Sequence, residues 1–247
     1  MPNSTAFVDD VEVFAGQAAA HTNVKQLYPP IEIVIEQEKP RIQFIRKPFY
    51  DFVKRIADII LSALGMVFLS PVFLLIAVLI KAEDKGPVFF AQDRTGRNGK
   101  VFKMYKFRSM RVNAEKQRND LLNQNEADGP LFKIQKDPRI TKIGGFIRKT
   151  SIDELPQFLN IFKGDMTIIG PRPFVTYEQE QFDEYQSQRL LVKPGLTCYW
   201  QTNGRSDCPF EKMIEYDLDY VRNRSFKVDI KLFFKTIKVV FKCIGAR

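Results

Sequence analysis

Ile56–Ile80 reads IADIILSALGMVFLSPVFLLIAVLI, and what these 25 positions do decides the architecture. As one straight helix they would reach about 37 Å at ~1.5 Å per residue, enough to cross a bilayer. Two features argue against a plain span. Asp58 places a charge near the start, and Ser70-Pro71 interrupts the run, where proline lacks a backbone N–H and clashes with the preceding turn. The flanks add a topological argument, because Arg46, Lys47, Lys54 and Arg55 precede the segment and Lys81 and Lys85 follow it. Basic residues favour the cytoplasmic side, so a helix that enters, bends at Ser70-Pro71 and leaves on the same face satisfies both ends. A straight span would export one basic cluster. The reading is a re-entrant membrane helix over residues 49–85, preferred to a span and to a buried core helix.

Working outward, residues 1–48 are expected to form a polar, flexible leader without the basic start, apolar run and cleavage site of a secretory signal. Within it Ile31–Glu36 alternates like a short strand, but one isolated strand is not a domain. At the other end, residues 229–247 read DIKLFFKTIKVVFKCIGAR. On a helical wheel Lys231, Lys235, Lys238 and Lys242 share an arc of about 60°, with Phe233, Phe234, Ile237, Val240, Phe241 and Ile244 opposite. Such a helix is expected at a membrane interface, apolar side down and lysines near anionic headgroups; the alternative is a surface helix packed on the core.

The net charge of +9 favours anionic partners: nucleic acid, an acidic membrane surface or phosphorylated substrates. No zinc-finger, RNP or basic-zipper pattern appears, so no nucleic acid is expected. The three cysteines, Cys198, Cys208 and Cys243, lack CxxC spacing, which points to a reducing compartment without a zinc site. The single histidine, His21, lies in the leader and receives no role.

Residues 86–228 are expected to form the folded domain. Pro87–Ala91 and Val101–Phe107 flank the turn-forming Arg94-Thr-Gly-Arg-Asn-Gly99, which predicts a β-hairpin. Arg94, Arg97, Lys100, Lys103, Lys106, Arg108 and Arg111 make it the most basic stretch, either a solvated face or a cradle for a diphosphate. Neither a Walker A pattern nor a dinucleotide fingerprint is present. Further on, Ser151-Ile-Asp-Glu154 fits the S-x-x-E capping box, with Ser151 capping a helix and Glu154 reaching back to its N–H. The same spacing sets Asp153, a carboxylate suited to nucleophilic attack, at a helix start that would attract phosphate, with Arg148 and Lys149 favouring its ionised form.

Several motifs together resemble the bacterial sugar transferase family, the monotopic phosphoglycosyl transferases. They are Lys54-Arg-Ile-Ala-Asp58, Ser70-Pro71, Gln92-x-Arg-x-Gly96, Lys106-Phe-Arg-Ser-Met110, the Asp153-Glu154 window, Gly164-Asp-Met166, Gly170-Pro-Arg-Pro173, and Lys193-Pro-Gly-Leu-Thr197 followed by Trp200-Gln201 and Gly204-Arg205. The resemblance implies an α+β fold: a small, mostly helical α/β/α-like cytoplasmic domain, with a re-entrant helix bent at Ser70-Pro71 and interfacial amphipathic helices. It implies that sugar-1-phosphate moves from a UDP-sugar, glucose or galactose, to undecaprenyl phosphate through a phosphosugar on Asp153, with release of UMP, as the first membrane step of exopolysaccharide, capsule or O-antigen synthesis. Glu154 would ligate Mg2+, and Lys106, Arg108, Arg148, Arg172 and Pro173 would line the substrate site. The implied location is the bacterial inner membrane, among its lipids, with the catalytic domain facing the cytoplasm. The competing readings are a non-catalytic membrane adaptor of a polysaccharide assembly complex and a glycosyltransferase that releases UDP. Cys198 departs from the family's usual glycine. The sequence leaves the oligomeric state open, a homodimer included.

Overall fold

The computed structural model describes residues 41–204 and 208–241; residues 1–40 of the leader, with the Ile31–Glu36 alternation and His21, lie outside them, as do Arg205, Lys242, Cys243 and Ile244, while Ile42 and Phe44 near the leader's end pack against the core. The apolar segment forms two helices, α1 (Pro48–Phe68) and α2 (Ser70–Asp84), bent by 58° at Leu69. The cause is local. Pro71 cannot donate to the preceding turn, and Ser70 Oγ donates instead to the Val67 carbonyl at 2.7 Å. Both helices outrun the apolar stretch that marks them in the sequence. Among the described residues no single helix is long and apolar enough to cross a membrane, whereas the bent pair passes that test together.

The polarity of α1 is reversed relative to a helix on a water-soluble surface. Asp58 and Ser62 are buried against the protein, while Phe52, Ile60, Leu64, Val67 and Phe68 are exposed, and Leu74, Leu75 and Val78 continue the apolar surface on α2. Buried Asp58 is fully engaged, its Oδ1 accepting from Thr167 Oγ1 and from Ile168 N–H, both at 3.0 Å. The charge that argues against a simple span in the sequence is a tether between α1 and the body.

The hairpin predicted from the basic stretch is present and longer than expected. Strands β1 (Phe89–Thr95) and β2 (Val101–Phe107) pair antiparallel with Phe89 opposite Phe107 and Thr95 opposite Val101. The turn is possible because Asn98 and Gly99 accept positive φ, 56° and 77°. A long, mostly irregular segment leads to α3 (Lys142–Lys149) and α4 (Gln157–Lys163). Asn160 of α4 binds the β2 backbone, accepting from Tyr105 N–H at 3.0 Å and donating to the Lys103 carbonyl at 2.7 Å. A second, parallel pair joins β3 (Thr167–Ile169) to β4 (Gly195–Thr197). Between them lie the short helices α5 (Thr176–Gln179) and α6 (Glu184–Ser187), and after them come α7 (Tyr199–Asn203), α8 (Phe210–Asn223) and α9 (Phe226–Phe241). The fold is mixed and mostly helical, as expected, and its strands form separate two-stranded pairs.

The cores are apolar faces meeting across these elements. Ile76 and Ile80 of α2 pack with Phe107 and Ile147, and Ile161 and Met166 pack with Phe102 and Met104. α9 begins at Phe226, ahead of the expected residue 229. Its division also differs from the wheel. Leu232 is buried in a core with Ile169 and Tyr220, and Phe233 packs against it, while Ile230, Phe234 and Ile237 are exposed. One apolar side therefore serves the protein interior and another remains outside.

Replacing Asp58 tests the tether. Asp58→Ala leaves two buried donors without an acceptor and should destabilise the protein by about 2–3 kcal/mol, whereas Asp58→Asn, which keeps one acceptor oxygen, should cost less. Equal midpoints for the two variants in detergent-phase thermal unfolding would remove the hydrogen bonds from the explanation.

Candidate active site

The acid pair lies on a single 3₁₀ turn, Ile152–Glu154, between α3 and α4. Here the structure corrects the capping box. Ser151 has φ 59° and ψ 16°, and its side chain makes no cap hydrogen bond; an N-cap residue is extended. The left-handed residue ends the α3 segment and turns the chain, and the next α-helix starts only at Gln157. Glu154 does not reach back to Ser151. It is taken by two cations from distant segments: Lys106 Nζ donates to Oε1 at 3.2 Å, and the Arg172 guanidinium forks across both oxygens, with Nη1 to Oε2 at 3.1 Å. A long-range charge cluster has displaced a local cap, since ionised, bidentate hydrogen bonds are stronger than neutral ones.

The electrostatics separate the two acids. Glu154 is held well below the usual carboxylate range because Arg172 and Lys106 outweigh its burial. Asp153, 8% exposed, makes no hydrogen bond among the described residues. Burial pushes its carboxyl up to about 6; the positive charge of Lys106 opposes this, and the negative charge of Glu154 adds to it. Burial likewise lowers Lys106. One carboxylate is locked in the charged form, and its neighbour is poised to change charge near neutrality.

Arg172 is positioned by its backbone. Each carbonyl from residue 171 to 174 has a donor from a different part of the chain: Gly195 N–H to Pro171 at 2.8 Å, Arg189 to Arg172, Arg94 Nη1 to Pro173 at 3.0 Å, and Thr95 N–H to Phe174 at 3.1 Å. Arg189 is in turn held by Asp217 Oδ2, at 2.7 and 2.9 Å, and stacks on Phe174. The glycines of two motifs allow this approach. A Cβ on Gly195 would lie 2.1 Å from the Gly170 nitrogen, so Gly170 serves backbone contact, not a turn. Gly164, by contrast, ends α4 at φ 96°.

These groups face a cavity of about 1050 Å3. Asp153, Glu154, Lys106, Arg148 and Arg172 all line it, so five residues singled out from the sequence are brought together. The others stand apart in different ways. Arg108 reaches the cavity wall but is committed to Asp84 at the end of α2 and to the Pro87 carbonyl. Pro173 is buried and accepts from Arg94, and Ser70 and Pro71 mark the helix bend. Residues absent from the expected set also line the cavity: Arg94, whose burial lowers it to about 10, Arg118, which stacks on Phe132 and Tyr177, and Trp200. Arg94 carried a signal in Gln92-x-Arg-x-Gly96, whereas Arg189 and Asp217 sit in polar stretches with none. Cys198 is buried, its thiol pushed up by burial, and bonds Gln201 within α7.

Among the described residues no group of three or more His, Cys, Asp or Glu side chains comes together. The acid turn offers two carboxylates, with Glu115 and Glu178 elsewhere on the cavity wall, and this suits Mg2+, an ion that takes one or two carboxylates with water and phosphate oxygens completing its shell.

A cation-lined cavity around a buried acid pair suits an anionic ligand. Residues 49–243 match the family described as bacterial sugar transferase, and the chain belongs to that family. It is 46% identical over 204 residues to the galactosyl transferase CpsE of Streptococcus agalactiae serotype III, a match covering 82% of this chain and 44% of that protein. It is 41% identical over 203 residues to the undecaprenyl-phosphate galactose phosphotransferase of Salmonella typhimurium, covering 79% and 42%. The exopolysaccharide production protein ExoY of Sinorhizobium fredii is 40% identical over 198 residues, covering 78% of this chain and 88% of that one. The chain thus spans under half the length of the first two relatives and most of the third.

The divided acid pair gives a titration prediction. The carbon-13 carboxyl resonance of Asp153 should shift with a midpoint near 6. Glu154→Gln removes a like charge and frees two cations, so the midpoint should fall; Lys106→Met removes an opposing charge, so it should rise. Movement of both variants in one direction would contradict this account.

Proposed function

We propose that the protein transfers sugar-1-phosphate from a UDP-sugar, UDP-galactose or UDP-glucose, to undecaprenyl phosphate, starting an exopolysaccharide, capsule or O-antigen chain. The observation that carries the reading is the poised, buried Asp153 beside Glu154, Arg172 and Lys106, in a member of a sugar transferase family. The names of its relatives support galactose as the sugar and undecaprenyl phosphate as the acceptor.

The chemistry follows from the groups present. An Asp153 carboxylate oxygen attacks the phosphorus attached to the sugar; the bridging oxygen leaves with UMP, and a phosphosugar is joined to Asp153. An oxygen of the lipid phosphate then attacks the same phosphorus, forming the lipid diphosphate-sugar and returning the carboxylate. Arg172 and Lys106 are the chain's phosphate-binding groups at this point, and the diphosphate competes with Glu154 for them. That exchange releases the Glu154 carboxylate, which with the diphosphate oxygens would hold Mg2+; the ion, when bound, neutralises charge on the phosphates. A covalent intermediate also lets water-soluble UMP leave before the lipid arrives.

The same reading places α1 and α2 as a re-entrant pair in the bacterial inner membrane, with the domain facing the cytoplasm. The exposed apolar faces, the basic flanks and the 58° bend support it. Cysteines introduced as Lys47→Cys and Lys85→Cys in a background lacking the native cysteines should both label from the cytoplasmic side; opposite-side labelling would establish a span.

Purified protein with Mg2+, polyprenyl phosphate and a panel of UDP-sugars should release UMP. Release of UDP would instead indicate direct glycosyl transfer. Asp153→Asn should lower the rate at least ~10³-fold, and Arg172→Lys, which loses the fork, about 10²-fold. Because Asp153 attacks only when ionised, the rate should fall about tenfold per pH unit below about 6.

A further inference from the structure

A second, smaller cavity of about 170 Å3 lies at the first turns of α1, away from the acid pair. Lys54, Arg55, Asp58, Arg97, Lys193 and Arg224 contribute to its wall. Most of these charges are accounted for. Lys54 pairs with Asp229 at 2.6 Å, Arg224 pairs with Asp51, and Arg55 donates to the Ile161 and Phe162 carbonyls at 2.6 and 2.8 Å. Asp58 is taken by β3. The side chains of Lys193, half-buried, and Arg97, exposed at the hairpin tip, have no hydrogen bond or ion pair among the described residues.

Gly164 keeps the space between the cations open: a Cβ there would lie 3.3 Å from Arg55 Nη2 and 3.6 Å from Lys193 Nζ. Burial lowers the Lys193 ammonium, and the fields of Arg55 and Arg97 lower it further, against Asp58 and Asp165. Arg55, Arg97 and Lys193 face only the carboxylates of Asp58 and Asp165, and Asp58 is already taken by β3, so this crowded excess of positive charge favours an anion. The volume equals roughly six waters, room for one tetrahedral phosphate with part of its hydration.

We infer that this cavity is a phosphate-binding site, separate from the catalytic cavity, and that its occupant is the phosphodiester headgroup of a membrane lipid, held by Lys193 and Arg97 against the Arg55 edge. The lipid source follows from the same stretch of α1, where the cavity residues Tyr50, Asp51, Lys54 and Arg55 alternate with exposed Phe49, Phe52 and Ile56. A headgroup in the cavity would therefore set its acyl chains beside an apolar face. This choice of source rests on the membrane placement proposed above.

The test uses the full chain in phosphate-free alkyl maltoside micelles, with amine acylation read residue by residue by mass spectrometry. Added phosphatidylglycerol should slow acylation of Lys193 about fivefold, the effect of one interfacial cation, and leave exposed Lys136 unchanged. Arg97→Gln, at an exposed turn position, should weaken that protection with unfolding unaltered. Inorganic phosphate protecting as well at equal concentration would overturn the lipid source, and Lys193 reacting equally with and without either probe would overturn the site. Flotation with vesicles of uncharged galactolipid separates the two readings: a chain that does not float overturns the membrane placement and the lipid source, while the inorganic phosphate arm still decides the site.

Discussion

Glu154 shares its two oxygens between Arg172 and Lys106, and this cluster joins three separate parts of the chain. The 3₁₀ turn carrying the acids also packs Ile152 into the core that holds Phe107 of the strand carrying Lys106, and the loop carrying Arg172 also bonds to the hairpin through Arg94 and Thr95. The partners lie 18 and 48 residues from Glu154. In a partly buried setting such a cluster is stable only when complete, because removing one member leaves another charge desolvated and unpaired. The cluster also sets the state of Asp153, since its members contribute field terms of both signs at that carboxyl. Architecture and chemistry therefore draw on the same interactions.

Features written in short-range terms were legible in the sequence. Ser70-Pro71 bends the helix because a missing N–H acts within one turn, and the hairpin follows from Asn98 and Gly99, which tolerate positive φ. The membership of Asp153, Glu154, Lys106, Arg148 and Arg172 in one cavity could be anticipated from motifs that have no local structural purpose. The role of Ser151 could not. Its S-x-x-E spacing fits a cap perfectly well, and only the distant Arg172 and Lys106 decide that Glu154 turns elsewhere. Arg108 shows the same limit: it stands two residues from Lys106 in an equally basic stretch, yet Asp84 claims it. Arg189 and Asp217 were invisible because their partners belong to the tertiary structure.

The reversed polarity of α1 deserves the same physical reading. A buried carboxylate and hydroxyl on one face and phenylalanine, isoleucine and leucine on the other would be unfavourable in water on both counts. The inner face is compensated by Thr167 and Ile168, whose donors meet Asp58. The outer face has no such partner among the described residues. The tether also runs into β3, which leads directly to the Gly170-Pro-Arg172 loop, so the seating of α1 and the position of Arg172 are mechanically linked.

The loop from Pro171 to Phe174 has a consequence for biogenesis. Its four carbonyls are secured by donors at residues 94, 95, 189 and 195, and Arg189 itself depends on Asp217. During synthesis the N-terminal part emerges first, so Asp153 and Glu154, like Arg94 and Thr95, leave the ribosome before Arg189, Gly195 and Asp217. The loop that carries Arg172, and with it the Glu154 cluster, is complete only when the C-terminal third has folded.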